Sequence, residues 1–245
     1  MSLPDGFARR PFAHRGLHGA AGPENSLGAI AAAADAGWGI EIDLQRSADG
    51  MAMVFHDDHL KRLTGVSGAT SARTAQELGA LSLADGSPIP TFAAVLALVA
   101  GRVPLLVEIK DQDGAMGPGV GPLEEAAARD LHRYDGPVAL MSFNPHAADA
   151  VRALAPSRPV GLTTCDWRPE DWPHVPEPRR AELRRLPAEA DVPFVSHDRR
   201  DLASPAIAAA KERGPVYCWT VRSPEQEAEA RIHADQITFE GYLPA

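Results

Sequence analysis

The chain has 245 residues, of which 44% are hydrophobic, and its formal net charge is −9 at pH 7. This length suits a single α/β barrel, and the apolar share is enough for a sizeable core. An acidic chain has no general affinity for nucleic acid or for an anionic membrane surface. Any anion site must therefore be local, built from a few basic groups or a metal.

The sequence predicts neither a secretion signal nor a membrane segment. The N-terminal stretch MSLPDGFARRPFAHRG has no apolar run of signal-peptide length, and the longest apolar run, Thr91–Ala100, is far shorter than a membrane span. Cys165 and Cys218 lie in apolar, strand-like segments, which favours buried thiols and leaves a disulfide open. We therefore expect a cytoplasmic protein without stable membrane association.

Short apolar runs predict the strands in chain order. Several are rich in Val, Ile and Leu without alternation, as is typical of strands that are buried on both faces. The nine candidates are Phe12–His14, Gly39–Leu44, Met51–His56, Pro104–Ile109, Pro137–Phe143, Val160–Thr164, Phe194–His197, Val216–Val221 and Gln236–Phe239.

Helices are predicted between the strands. Asn144-Pro145, Ser204-Pro205 and Ser223-Pro224 each place a capping side chain before a proline at the first helical position. Strand and helix alternate along the chain, which indicates a parallel sheet. The exception is Met51–His56, which follows the second strand through the turn Ser47–Gly50 and leaves no room for a helix.

We therefore interpret Met51–His56 as an extension beside the second strand, and the other eight strands as a (β/α)8 TIM barrel. An open doubly wound sheet is the alternative, but the chain lacks the glycine-rich phosphate fingerprint of that fold. The polar segment Asp57–Pro90 is predicted to be a small insertion over the top of the barrel, after the second strand. Residues 1–245 are expected to form one domain.

Polar residues cluster where the predicted strands end, and barrel active sites lie at those ends. Glu41 and Asp43 share one face of the second strand, because side chains alternate along a strand. Glu108 and Lys110 share one face of the third barrel strand. Three converging carboxylates suit a hard divalent cation such as Mg²⁺ or Ca²⁺. The alternative is an internal ion-pair layer in which Arg15 and Lys110 neutralise the acids.

Several short motifs follow one another in a recognisable order. They are AHRG, PENS, EIDLQ, DG, VFHDD, RLTG, VEIK and WTV. In order and spacing this combination resembles the glycerophosphodiester phosphodiesterase family. The resemblance spans nearly the whole chain and is densest before residue 110. It implies a (β/α)8 barrel with a small insertion after the second strand. It also implies metal-dependent hydrolysis of glycerophosphodiesters to sn-glycerol 3-phosphate and an alcohol.

Carried over by position, the resemblance makes Glu41, Asp43 and Glu108 ligands of Mg²⁺ or Ca²⁺. It makes His14 and His56 the acid–base pair. Arg15 and Lys110 would bind phosphate oxygens. From its place at a strand end beside this site, Trp219 is expected to form a wall for the glycerol moiety, with core packing as the alternative. These roles agree with the chemistry, because an anionic diester with a poor leaving group needs charge neutralisation, an activated nucleophile and a proton donor.

The chain departs from the family at its last strand, where Thr238-Phe239-Glu240 stands in place of a Thr-Asp-x-Pro-like stretch. The usual acid is shifted or absent there. We expect Glu24 to orient Arg15, and Asn25-Ser26 to cap the first helix. His18 could reach the site, but a solvated loop residue is favoured, and for His197 a place in the pocket and a structural role are equally favoured.

Two alternative functions stay open at this point. One is a related phosphodiesterase that acts on lysophospholipids, although no amphipathic anchor is visible. The other is a non-catalytic barrel that binds a phosphorylated metabolite.

Overall fold

Eight parallel strands close into a barrel in the computed structural model, which describes residues 2–244. The strands are β1 (Phe12–His14), β2 (Gly39–Arg46), β3 (Ala52–Val54), β4 (Leu105–Ile109), β5 (Val138–Ser142), β6 (Val160–Thr164), β7 (Val195–Asp198), β8 (Val216–Val221) and β9 (Gln236–Phe239). β1 pairs with both β9 and β2 and so closes the ring. The predicted TIM barrel is confirmed.

The strand outside the ring is β3, which runs antiparallel to the end of β2. β3 is shorter than the predicted Met51–His56, but it lies where the extension was expected. β2 therefore continues two residues beyond the predicted end, to Arg46, because β3 supplies hydrogen-bonding partners for its last residues.

Ten α-helices are found among the described residues. They are α1 (Leu27–Asp35), α2 (Lys61–Thr64), α3 (Ala75–Gly79), α4 (Phe92–Val99), α5 (Pro122–Leu131), α6 (Pro145–Leu154), α7 (Glu177–Leu183), α8 (Leu186–Glu189), α9 (Pro205–Lys211) and α10 (Pro224–Ala230). Asn144 and Ser223 cap α6 and α10 as predicted, whereas Ser204 precedes α9 without a capping hydrogen bond. None of the described helices has the length and apolar character needed to cross a bilayer.

The two faces of the barrel strands pack differently. Outward-facing residues such as Ile40, Ile42 and Val107 join the inner faces of the helices in one large core. Inward-facing residues form a smaller cluster at the lower end of the barrel. It comprises Phe7, Phe12, Leu106, Ala139, Met141, Phe194 and Tyr217. The interior of the barrel is therefore filled with apolar side chains at the N-terminal, lower ends of the strands and is left free for polar groups at their C-terminal, upper ends.

Two strand glycines make room for these rings. A Cβ atom added to Gly39 would lie 2.8 Å from the Phe12 ring, and one added to Gly161 would lie 2.7 Å from the Phe194 ring. The N-terminal segment closes the lower end, because the Tyr217 hydroxyl donates to the Phe7 carbonyl at 3.0 Å. Gln236 donates its side-chain amide to the Ala8 carbonyl at 3.2 Å.

The segment 57–90 forms a small unit of its own beside β3. It contains α2 and α3 and encloses a separate apolar cluster that includes Phe55, Leu60 and Leu78. Its first residues, Asp57 to Arg62, reach the rim of the main cavity. The predicted insertion thus borders the mouth of the barrel.

The positions of the cysteines and of the α7 arginines can be compared with the sequence. Both cysteines are buried and free, and burial raises the pKa of each thiol to about 12. Not all arginines of α7 lie on a solvated face: Arg180 is buried and donates to the Val175 carbonyl. Arg179 likewise donates to the Met116 carbonyl at 3.0 Å. These arginines tie the β6–α7 loop to the body of the protein.

We predict that Gly39→Ala lowers the free energy of unfolding by about 1–3 kcal/mol, because the new methyl group collides with the buried Phe12 ring. Chemical denaturation measures this. In the double variant Gly39→Ala/Phe12→Leu, the loss of unfolding free energy should be smaller than the sum of the losses in the two single variants, since the smaller side chain at residue 12 relieves the collision. Gly79→Ala is the control, because a methyl group there meets nothing within 4 Å. Full additivity at residues 39 and 12 would contradict this packing.

Candidate active site

A cavity of about 1200 Å³ opens at the C-terminal ends of the barrel strands. Among the residues that line it are all eight that the sequence predicted for the site: His14, Arg15, Glu41, Asp43, His56, Glu108, Lys110 and Trp219. They come from β1, β2, β4, β8 and the loops that follow β1, β3 and β4.

The register of three strands brings the acids together. His14 lies opposite Glu41 across the β1–β2 pair, and Asp43 lies opposite Glu108 across the β2–β4 pair. One carboxylate oxygen from each of Glu41, Asp43 and Glu108 lies within 4.8 Å of the others, and all three residues are buried. The chain thus holds three negative groups in a space with little water.

Lys110 neutralises part of this charge. Its Nζ lies 2.7 Å from Asp43 Oδ1 and 2.6 Å from Glu108 Oε1. Burial acts to lower the pKa of Lys110, but Asp43 and Glu108 outweigh it, so this pKa is raised. Burial would likewise raise the pKa of Asp43, yet Lys110 and nearby basic groups hold it well below its usual range. Part of the ion-pair layer considered from the sequence is therefore present.

Glu41 is the acid that this layer leaves out. Across residues 2–244, no lysine or arginine side-chain nitrogen lies within 4.0 Å of its carboxylate, and its hydrogen bond comes from the Arg15 backbone N–H at 3.2 Å. Burial raises the pKa of Glu41 well above its usual value, and neighbouring Asp43 and Glu108 add to the rise. The cluster therefore lacks positive charge at the position of Glu41. Three carboxylates with this deficit fit a divalent cation of the Mg²⁺ or Ca²⁺ type.

His14 is held by an acid from the far end of the chain. Its Nδ1 donates to Glu240 Oε2 at 2.5 Å, and its Nε2 lies 3.9 Å from Glu41 Oε2. Burial lowers the pKa of His14 to about 4, against the opposing effect of Glu240. At neutral pH the ring is therefore uncharged, with its proton on Nδ1 and a free lone pair on Nε2 facing the carboxylates.

His56 has a similar support on the other side of the cavity. Its Nδ1 lies 2.7 Å from Asp57 Oδ1, and Asp57 in turn accepts from Arg62 at 2.6 and 2.7 Å. Arg62 also donates to Glu24 at 2.7 and 2.8 Å. The same Glu24 accepts from Arg15 at 2.6 Å, as expected from the sequence. One chain of ion pairs thus connects Arg15 to His56 around the rim.

Asn25 has a different place from the one predicted. Ser26 caps α1 by accepting from the Ala29 N–H, but Asn25 is turned into the site. Its Nδ2 donates to Asp43 Oδ2 at 2.9 Å, and its φ of 59° is in the left-handed region that asparagine tolerates better than most residues. Asn25 therefore orients one of the three acids.

This geometry can be compared with known proteins. A sequence profile described as the Glycerophosphoryl diester phosphodiesterase family matches residues 14–237, which include β2 to β8 and all eight predicted site residues. The chain belongs to this family. Members of this family are phosphoric diester hydrolases, and the fold of the chain agrees with theirs.

Individual relatives resemble the chain over most of its length. YhdW of Bacillus subtilis, named as a candidate glycerophosphodiester phosphodiesterase, is 28% identical over 235 residues, which are 91% of this chain and 89% of that protein. A glycerophosphodiester phosphodiesterase of Caldanaerobacter subterraneus is 32% identical over 151 residues, 57% of this chain and 60% of the relative. A solved phosphodiesterase of Oleispira antarctica, in complex with the product sn-glycerol-3-phosphate, matches with a TM-score of 0.75 at 24% identity, covering 97% of this chain and 93% of its own. This last likeness shows the common fold.

Part of the cavity wall is aromatic in this phosphodiesterase. Trp219 lies in the cavity as expected and donates its indole N–H to the Ser196 carbonyl at 3.2 Å. The Phe143 ring packs against Trp219 at 5.5 Å and against Trp172 at 5.0 Å between centroids. Phe143 and Trp172 were not predicted to join this wall, because they belong to loops after different strands.

His197 has a structural place in this phosphodiesterase. It is buried behind the cavity lining, and its Nδ1 lies 2.8 Å from the Thr164 hydroxyl. The last-strand acid, by contrast, is present. Glu240 follows directly after β9 and reaches His14 with a side chain one methylene longer than aspartate. The shifted acid noted in the sequence therefore faces the site.

We predict opposite effects on metal affinity from two substitutions. Glu41→Gln should weaken binding of Mg²⁺ or Ca²⁺ by at least about tenfold, because it removes a charged oxygen from the deficient side of the cluster. Lys110→Met should strengthen metal binding, on the order of tenfold, because Lys110 Nζ competes for two of the same carboxylates. Calorimetric titration with each metal measures both effects.

Lys61→Met is the matched control for the lysine, since Lys61 lines the same cavity but makes no ion pair with the three acids. It should leave metal affinity close to parental. Equal affinities in the parental, Glu41→Gln and Lys110→Met proteins would mean that these acids form an ion-pair layer alone.

Proposed function

We propose that the chain, acting as a single barrel domain, hydrolyses glycerophosphodiesters to sn-glycerol 3-phosphate and an alcohol with a divalent metal and two histidines. Membership of the family supports the reaction class. The observation that carries the mechanism is the convergence of Glu41, Asp43 and Glu108 within 4.8 Å, beside His14. A site of this charge and depth favours an enzyme over a barrel that only binds a metabolite.

Glu41, Asp43 and Glu108 would hold the metal. A bound Mg²⁺ or Ca²⁺ supplies positive charge next to the phosphate and offsets the charge of the three acids. Lys110 carries its ammonium on a flexible stem beside Asp43 and Glu108, and it would donate from there to a phosphate oxygen. Arg15 is fixed more firmly by Glu24 and offers a planar donor fork on the same side of the cavity.

Each of the two histidines would accept or donate its proton at the same ring nitrogen, Nε2. Each has a carboxylate at Nδ1, Glu240 for His14 and Asp57 for His56, which leaves Nε2 as the exchanging nitrogen. An uncharged His14 is prepared to accept a proton from the attacking hydroxyl group. His56, at the more open rim, would donate a proton to the departing alcohol oxygen.

The aromatic wall would hold the rest of the substrate. The cavity has a volume of about 1200 Å³, which is larger than glycerol phosphate requires. Its aromatic wall is formed by Trp219, Phe143 and Trp172. The glycerol carbons can pack against Trp219 while the phosphate faces the basic groups. The remaining volume is left for the alcohol of the diester.

The reaction is tested by incubating the purified protein with glycerophosphocholine and measuring sn-glycerol 3-phosphate and choline. We expect hydrolysis that is lost in EDTA and restored by added Mg²⁺ or Ca²⁺. A lysophospholipid assayed in parallel should react more slowly, because it carries the same charged diester with an added acyl chain that the acids and basic groups of the cavity do not bind. Full activity in EDTA would refute the metal dependence.

We predict that His14→Ala and His56→Ala each lose on the order of 10²-fold or more in turnover, as general acid–base groups do, while keeping metal affinity. His59→Ala is the matched control, because His59 lines the same cavity without a carboxylate at its ring. Steady-state kinetics on the three variants measure the effect. Near-parental turnover in either of the first two would remove that histidine from the mechanism.

A further inference from the structure

A second group of metal-binding side chains lies next to the carboxylate cluster. One ring nitrogen each from His14 and His18 and one carboxylate oxygen of Glu240 lie within 4.8 Å of one another. The carboxylate cluster offers oxygen alone, whereas this group offers two imidazoles and one carboxylate. Imidazole nitrogen suits zinc and related transition metals, while carboxylates suit Mg²⁺ and Ca²⁺.

The atoms of this group are arranged around Glu240 Oε2. That oxygen lies 2.5 Å from His14 Nδ1 and 3.4 Å from His18 Nε2. Ligand atoms at about 2.0–2.1 Å from a tetrahedral zinc are about 3.3 Å apart, so His18 already stands at the right separation. His14 would need to withdraw from Glu240 by less than 1 Å, roughly the change from a hydrogen bond to an edge of the tetrahedron.

Two further observations point to a ligand. His18 Nε2 is shielded from solvent, and its contact with Glu240 Oε2 at 3.4 Å is too poorly aligned for a hydrogen bond, so this potential ligand atom is weakly held within the described chain. Arg222 Nε lies 2.6 Å from Glu240 Oε1, which fixes the carboxylate and leaves Oε2 for the two histidines. The three side chains come from β1, the loop after β1 and the end of β9, so the closed barrel preforms the group.

We propose that His14, His18 and Glu240 form a zinc site that inhibits the enzyme. This inference rests on the proposed role of His14 for its inhibitory part and on geometry alone for the binding part. Zinc would take the lone pair of His14 Nδ1, and the proton that Nδ1 carried would move through solvent to Nε2. The metal replaces the Nδ1–H bond and no net proton is lost.

The consequence for His14 follows from its two nitrogens. In the zinc-bound ring, Nε2 carries a proton and has no lone pair facing the carboxylates. His14 then cannot accept a proton from the attacking group. A cation of the softer class would thus stop the reaction, while Mg²⁺ or Ca²⁺ in the neighbouring cluster supports it. Metal selectivity would be divided between two adjoining sites that differ in ligand chemistry.

The first test measures binding without turnover. Zn²⁺ is titrated calorimetrically into the parental protein, His18→Ala and His59→Ala, each in saturating Mg²⁺ to fill the carboxylate cluster. We expect one zinc site in the parental protein and in His59→Ala. Its affinity should fall at least about tenfold in His18→Ala, since loss of even an outer partner of a metal ligand costs that much. His18→Asn, which keeps a polar side chain, serves as a second variant if His18→Ala fails to fold.

The second test measures zinc inhibition of glycerophosphocholine hydrolysis in saturating Mg²⁺, with each protein compared with its own zinc-free rate. The zinc concentration for half-inhibition should rise at least about tenfold in His18→Ala and stay unchanged in His59→Ala. Equal zinc affinity in parental and His18→Ala proteins overturns the site. Zinc bound through His18 without inhibition overturns the inhibitory role. Absence of hydrolysis would refute the proposed function, and the binding test would still decide the zinc site.

Discussion

Like-charge repulsion in a buried space is the constraint on which the rest of this site depends. Glu41, Asp43 and Glu108 are fixed side by side by the register of β2 and β4, and each is almost fully withdrawn from water. Such a group is stable only where positive charge is brought to it. Lys110 supplies positive charge to Asp43 and Glu108. The lack of positive charge at Glu41 leaves a place for a divalent cation. A divalent cation would therefore both stabilise the buried acids and serve the reaction.

The lower half of the barrel makes this arrangement possible. Phe12 and His14 lie on the same face of β1, and Leu106 and Glu108 on the same face of β4, so each of these strands changes from apolar to polar within two residues. The packed rings below exclude water from beneath the acids. The open mouth above gives a small charged substrate access to them. The boundary between the two halves is set by strand alternation.

Much of this could be read from the sequence, because the information is local. Buried strands appear as apolar runs, and Glu41, Asp43 and Glu108 stand out because strand interiors rarely hold carboxylates. Glu240 was harder to place, because 226 residues separate it from His14 and the contact exists only when β9 closes on β1. Asn25 was hidden for another reason. Its neighbour Ser26 has an evident capping role, and only the left-handed backbone at Asn25 turns that side chain toward Asp43.

Arg62 connects the site to the surrounding loops through an exposed side chain, whereas the three acids of the cluster are buried. Its side chain is 49% exposed, yet it joins Glu24 of the first loop to Asp57 of the segment beside β3. Dissolved ions screen such exposed pairs and scarcely reach the buried cluster. Ionic strength would thus act on the rim alone, loosening the support of His56 and Arg15 while the metal ligands keep their positions. The salt content of the medium becomes a means of separating the contribution of the rim groups from that of the buried carboxylates.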